Sequence, residues 1–151
     1  MFPTNGRSMN NSDVVQQCGR YGAYLGKFDS EEERSYIMDE TANIGVLSGA
    51  IWVDGYRKEQ CRTVAGTAKK PVECVKGAAV IFKDPYSTNL LDPWADNQPD
   101  NKGLIQHCTL MRVKCPIYYP SNCGYFDDVQ CDYIGNNLID LLGFLCVRLA
   151  R

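Results

Sequence analysis

No pair of cysteines in this sequence is separated by just two residues, and His107 is the one histidine. A structural zinc site draws on closely spaced thiolates and imidazoles, so the chain is not read as a zinc domain. Long apolar runs are absent too. The longest candidate, Leu138 to Ala150, is short and is interrupted by Asp140 and Arg148, too little to span a bilayer. The formal net charge is -2 and the basic residues are scattered, which excludes the basic stripe of a nucleic-acid binder. Internal repeats and low-complexity runs are lacking. The opening Met1-Phe2-Pro3-Thr4 has neither the basic start nor the apolar stretch of a signal peptide. The expectation is that the chain is a piece excised from a longer precursor.

What is abundant is cysteine. Eight in 151 residues, an even number, point to four disulfides and an oxidising, extracellular compartment. The triplet Asn10-Asn11-Ser12 is a glycosylation sequon at Asn10, which agrees with secretion. An apolar fraction of 44% suffices for one packed core, and the length suits a single domain over 1–151.

Hydrophobic pattern and capping residues predict a helix opening near Ser12 and stopping at Gly22, then a short strand from Ala23 to Phe28. A second helix starts at Ser30, with Glu31, Glu32 and Glu33 in the first turn, where the helix dipole favours acids. It ends by Gly45. Ile51-Trp52-Val53 reads as a core strand ended by Asp54-Gly55, and Ala78 to Phe82 as another. Residues 84–106 are irregular and rich in Asp, Asn and Pro; a stretch of that length within a compact domain is usually functional. Strands are expected again at Cys108 to Val113, Tyr125 to Cys131 and Phe144 to Leu149. Helices first and strands later give an α+β class.

Oxygen-bearing side chains gather around the end of the long loop: Gln98, Asp100 and Gln106, with Asp127 and Asp128 ahead of Cys131. If Cys108 and Cys131 are bonded, these groups converge. Three carboxylates and two amides make a hard ligand set suited to Ca2+, which takes about six to eight oxygens.

These residues resemble the C-type lectin-like domain family, over nearly the whole chain. Cys18 to Phe28 is similar to the family's first-helix cysteine and following strand. Ser30 to Ile37 is similar to its second helix, and Ile51 to Gly55 to its central core motif. Trp94 with Gln98-Pro99-Asp100 resembles the long-loop signature, in its Gln-Pro-Asp form. Phe126-Asp127-Asp128-Val129-Gln130-Cys131 stands where the family has Trp-Asn-Asp-x-x-Cys, and Phe144-Leu145-Cys146 where it has the final strand. The resemblance implies bonds Cys18–Cys146 and Cys108–Cys131, leaving Cys61–Cys74 and Cys115–Cys123 as local pairs. It also implies a cis bond before Pro99, and a first family strand that precedes Met1 or is reduced to Met1-Phe2.

The resemblance further implies that calcium is held by Gln98, Asp100, Gln106, Asp127 and Asp128. Sugar hydroxyls would be shared between the metal and the pairs Gln98/Asp100 and Gln106/Asp127. Each pair keeps one amide, which can donate, and one carboxylate, which only accepts. In the mannose-type arrangement the set is Glu-Pro-Asn, then Glu, then Asn-Asp; here both pairs are reversed. The Gln-Pro-Asp order favours galactose or N-acetylgalactosamine, although Asn101 to Ile105 supplies no aromatic ring for the sugar face. Asn101 and Gln106 are neutral where an auxiliary calcium site uses acids. The expected partners are glycans or glycoproteins. The alternative is a calcium-independent domain on the same scaffold that binds protein or lipid.

Catalysis is not expected. With all cysteines paired no thiol nucleophile remains, and the lone histidine has no evident triad partner. Asp127 and Asp128, adjacent on a strand, point to opposite faces and make a poor acid–base couple. Trp52 and Trp94 are read as core residues, with Trp94 the alternative sugar platform. Tyr118, Tyr119 and Tyr125 are candidates for stacking on a sugar or for strand packing, and His107 is a plain strand or surface residue.

Overall fold

The computed structural model describes residues 1–3, 8–66, 70–87, 93–116 and 122–149. Tyr118 and Tyr119 lie outside them. In chain order the elements are β1 (Phe2–Pro3), α1 (Asn11–Arg20), β2 (Tyr24–Leu25), α2 (Glu31–Ala42), β3 (Gly49–Arg57), β4 (Val80–Ile81), β5 (Cys108–Lys114), β6 (Phe126–Val129), β7 (Asp140–Phe144) and β8 (Cys146–Val147). The main sheet is six-stranded in the order β1-β7-β3-β5-β6 with β4 paired to β3, and β2 and β8 form a two-stranded sheet. The α+β class and the C-type lectin-like arrangement of two helices, mostly antiparallel sheets and a long irregular loop stand as expected.

Strand β3 is buried along nearly its whole length, because both faces of the sheet are covered. Side chains alternate between the faces. Ala50 and Trp52, with Leu110 of β5, pack against Val14 and Cys18 of α1. Ile51 and Val53, with Met111 and Val113, pack with Ile37 of α2, Phe28, Trp94 and Phe126. Trp52 is fully buried and donates its indole N–H to the Met9 carbonyl at 2.9 Å. Trp94 is also core, 7% exposed and edge-on to Phe126.

Several boundaries differ from the sequence reading. The N-cap of α1 is Asn10 rather than Ser12: Asn10 Oδ1 accepts from Asp13 N–H, and the Asp13 carboxylate accepts from Asn10 N–H. This reciprocal pair satisfies amides that Ser12 would leave open. Strand β3 does not end at Asp54-Gly55 but bulges there and resumes pairing at Tyr56. Gly55 has φ 146°, and a Cβ at that position would lie 2.4 Å from the Thr109 hydroxyl. Strand β7, whose tail alone was read as strand, runs parallel to β3. Ala78 and Ala79, read as the start of a strand, close a 3-10 turn over Lys76–Ala79, and the strand is confined to Val80–Ile81.

The disulfides are Cys18–Cys146, Cys61–Cys74, Cys108–Cys131 and Cys115–Cys123, the pairing that the resemblance implies. The first ties α1 to β8, and the third ties β5 to the segment leaving β6.

Phe126 has no solvent exposure and lies against both Phe28 and Trp94. Phe126→Ala should lower unfolding free energy by about 3–5 kcal/mol, the range for deleting a buried aromatic. Urea denaturation with the disulfides intact measures it.

Candidate functional site

An irregular loop packed on a core must find partners for its backbone amides. At the start of this loop Asp54, fully buried, accepts from the N–H groups of Lys83, Asp84 and Gly55. Midway, the chain lies beside β6: Phe126 N–H donates to the Pro93 carbonyl at 2.7 Å and Ala95 N–H to the Phe126 carbonyl at 3.0 Å. Toward its end Asp128 takes over, accepting from Asp100 N–H at 2.9 Å and Asn101 N–H at 2.8 Å.

The Gln98–Pro99 bond is cis, as the resemblance implies. Asn101 follows in the left-handed region at φ 51° and is fully buried. Its amide donates to the carbonyls of Arg62 and Val64, and its Oδ1 accepts from Gln106 N–H. Asn tolerates this backbone conformation better than most residues. Asn101 therefore works as a clasp, a role its reading as a missing acidic ligand did not reveal.

Of the five candidate residues, the structure brings Gln98, Asp100, Gln106 and Asp128 together at the loop. Gln98 Oε1 accepts from Asp100 N–H, and Asp100 Oδ1 and Gln106 Oε1 both accept from Lys102 N–H. Asp127 is separated from Asp128 by strand alternation. It stands opposite Leu110 in the β5–β6 ladder and pairs with Arg112 at 3.4 Å, whereas Asp128 stands opposite Thr109.

Arg57, at the end of β3, was not singled out by sequence. Its guanidinium forms a close ion pair with the Asp128 carboxylate, the two side chains being 2% and 3% exposed. Arg57 Nε also donates to the Gln106 carbonyl at 2.9 Å. Burial pushes the Asp128 carboxyl above the ordinary aspartate value, while Arg57 and the Asn101 and Asp100 amides pull it back. Burial likewise raises the Asp127 carboxyl, against the pull of Arg112. His107, beside this pair, has its imidazole pushed down by burial and by the Arg62 charge, and its ring Nδ1 is buried without a hydrogen-bond partner.

This donor set does not fit a calcium ion. Both Asp128 oxygens are engaged by amides, and the same carboxylate is already paired with a buried guanidinium. Asp127 is turned to Arg112 on the other face of the sheet. Among the described residues no three or more His, Cys, Asp or Glu side chains are grouped to hold a metal. No helix among them is long and apolar enough to cross a membrane.

A sequence-family model described as C-type lectin domain-containing protein 141/158 matches residues 2–148. The chain belongs to that family. No curated protein sequence matches it. Among solved structures it is similar to the C-type lectin CEL-I of Cucumaria echinata, with 16% identity and a TM-score of 0.54, covering 82% of this chain and 76% of that one. A Ca2+-dependent type II antifreeze protein in its Ca2+-free form gives 20% identity and a TM-score of 0.50, over 83% of this chain and 78% of that one. The carbohydrate-recognition domain of the mouse scavenger receptor C-type lectin gives 21% identity and a TM-score of 0.48, over 91% of this chain and 78% of that one. At these identities the likeness is one of fold.

Membership in the family leaves the roles of the two aspartates to local chemistry. Asp128→Ala should strip Arg57 of its buried partner and cost about 3–5 kcal/mol. Asp127→Ala, which breaks a longer and more exposed pair, should cost roughly 1 kcal/mol. Chemical denaturation of the two variants compares them directly; equal costs would contradict the difference in burial.

The Asp127 shift also has a sign. A carboxyl raised in the folded state binds its proton sooner there than in the unfolded chain. Its stabilising contribution grows as pH falls from neutral through the raised value toward the ordinary 3.8. The stability of the wild type relative to Asp127→Asn should therefore increase between pH 7 and pH 4, as urea denaturation at both values will report.

Proposed function

We propose that residues 1–151 act as one extracellular, non-enzymatic glycan-recognition domain that meets its ligand with the edge of the long loop. The observation that carries this reading is how the polar groups there are turned. Gln98 and Gln106 spend their side-chain oxygens on backbone amides. Their amide nitrogens, and Oδ2 of Asp100, have no hydrogen-bond partner among the described residues. Two donors and one charged acceptor, all on half-buried side chains, are what vicinal sugar hydroxyls require. Leu104 and Ile105, 45% and 49% exposed, offer apolar contact for a sugar face between Gln106 and Asp100. Leu104 does so at φ 62°, a conformation uncommon for a bulky residue and often found at binding sites.

The amide-then-acid order at Gln98 and Asp100 favours galactose or N-acetylgalactosamine. Direct hydrogen bonds, rather than a bridging Ca2+, hold the sugar in this reading. Four disulfides support an oxidising, extracellular setting. A glycan on Asn10 is compatible with its cap, which uses Oδ1 and leaves the nitrogen for the sugar.

A glycan array probed in chelator and again in millimolar calcium tests the proposal. Binding to galactose-type glycans should persist in chelator and weaken about tenfold or more in Asp100→Asn and Gln106→Ala, each lost contact being worth roughly 1.4 kcal/mol. Binding seen only with calcium would replace the direct reading with a metal-bridged one. Absence of glycan binding in both conditions would favour a protein or lipid ligand.

A further inference from the structure

The amides of Asp100 and Asn101 depend on a carboxylate that has almost no access to water. An isolated aspartate in that position would be costly, since burial penalises the charged form and a protonated carboxyl is a weaker acceptor. Asp54 meets the same cost with three backbone amides; Asp128 accepts from two and is given a cation as well. Arg57 is in place: it is buried, it lies at the end of β3, the longest strand among the described residues, and its planar head has two separate duties. One nitrogen pairs with Asp128, and Nε grips the Gln106 carbonyl. The backbone of the same residue donates to the His107 carbonyl at 3.0 Å, so the strand end and the loop end are joined both through the main chain and through the side chain.

We propose that Arg57 is the permanent cation of this loop: it sets the shape of residues 98–107 in the absence of any divalent metal, acting as a positioning residue through Asp128. The chain therefore builds its recognition edge without calcium. A divalent ion finds its charge already supplied and its best carboxylate already taken. Three further basic groups lie at this loop: Arg62 is exposed and paired with Glu59, Lys70 Nζ donates to the Pro99 carbonyl at 2.9 Å, and the His107 imidazole is held toward its neutral form. None of them is paired with Asp128, as the buried guanidinium is.

This inference does not rest on the glycan reading, and its test contains no sugar. Wild-type protein, disulfides intact, is melted in 5 mM calcium and in chelator, and amide exchange is followed at Asp100 and Asn101. The expected result is the same melting temperature in both conditions, with both amides protected in chelator. Arg57→Gln keeps a donor for the Gln106 carbonyl but removes the charge. It should melt roughly 6–15 °C lower and speed exchange of those two amides at least about tenfold. The double variant Arg57→Gln with Asp128→Asn removes both charges and should be more stable than Arg57→Gln alone, because no unpaired carboxylate remains. That comparison stands even if Arg57→Gln is recovered only in poor yield. A rise in wild-type melting temperature with calcium, unchanged exchange in Arg57→Gln, or a double variant weaker than the single one would each overturn the proposal.

Discussion

The described parts of the irregular segment, residues 84–87 and 93–106, lie against a packed sheet, and most of their backbone N–H groups need acceptors outside any ladder. Two buried aspartates meet much of that need. Asp54 gathers the amides of Lys83 and Asp84 where the segment begins, and Asp128 gathers those of Asp100 and Asn101 where it turns back. Both sit on strands of the main sheet, β3 and β6, so the loop inherits its position from the core. The disulfide Cys108–Cys131 secures the same β5–β6 region, and Asn101 bridges the loop to residues 62 and 64.

Charge placed inside a protein demands an answer, and the two aspartates receive different ones. Asp54 is answered by three backbone amides alone, and burial pushes its carboxyl up. Asp128 is answered by two amides and the Arg57 guanidinium. The second solution leaves the neighbouring polar groups at liberty to face outward. Gln98, Asp100 and Gln106 turn one oxygen each toward the loop's own amides, and their other polar atoms make no hydrogen bond among the described residues. The polar edge of the loop is thus a by-product of how the loop satisfies itself.

Much of this was legible in residue order. The Cys18 to Phe28 run, the Ser30 cap and the Ile51-Trp52-Val53 strand are local signals: a cysteine beside a helix end, a side chain that caps an amide, a continuous apolar run. The long loop announced itself by composition. Less visible were β7, since Asp140 and glycine break its apolar run, and the bulge at Gly55, whose reason is the Thr109 side chain across the strand. The α1 cap went to Asn10 because Asp13 could answer it, a two-residue agreement that Ser12 alone does not reveal.

Sequence by itself determined the family, the α+β class and the loop that carries the polar residues, because these follow from short-range pattern and from cysteine spacing matched to a known motif order. Which oxygens face which partners was decided only by tertiary structure. Asp127 and Asp128 are neighbours in the chain, yet strand alternation sends one to Arg112 and the other to Arg57. Arg57 lies 71 positions before Asp128, with nothing in its local sequence to mark it as that partner. The charge balance of a buried site depends on distances between remote residues, and those exist only once the sheet has brought β3 and β6 to either side of β5.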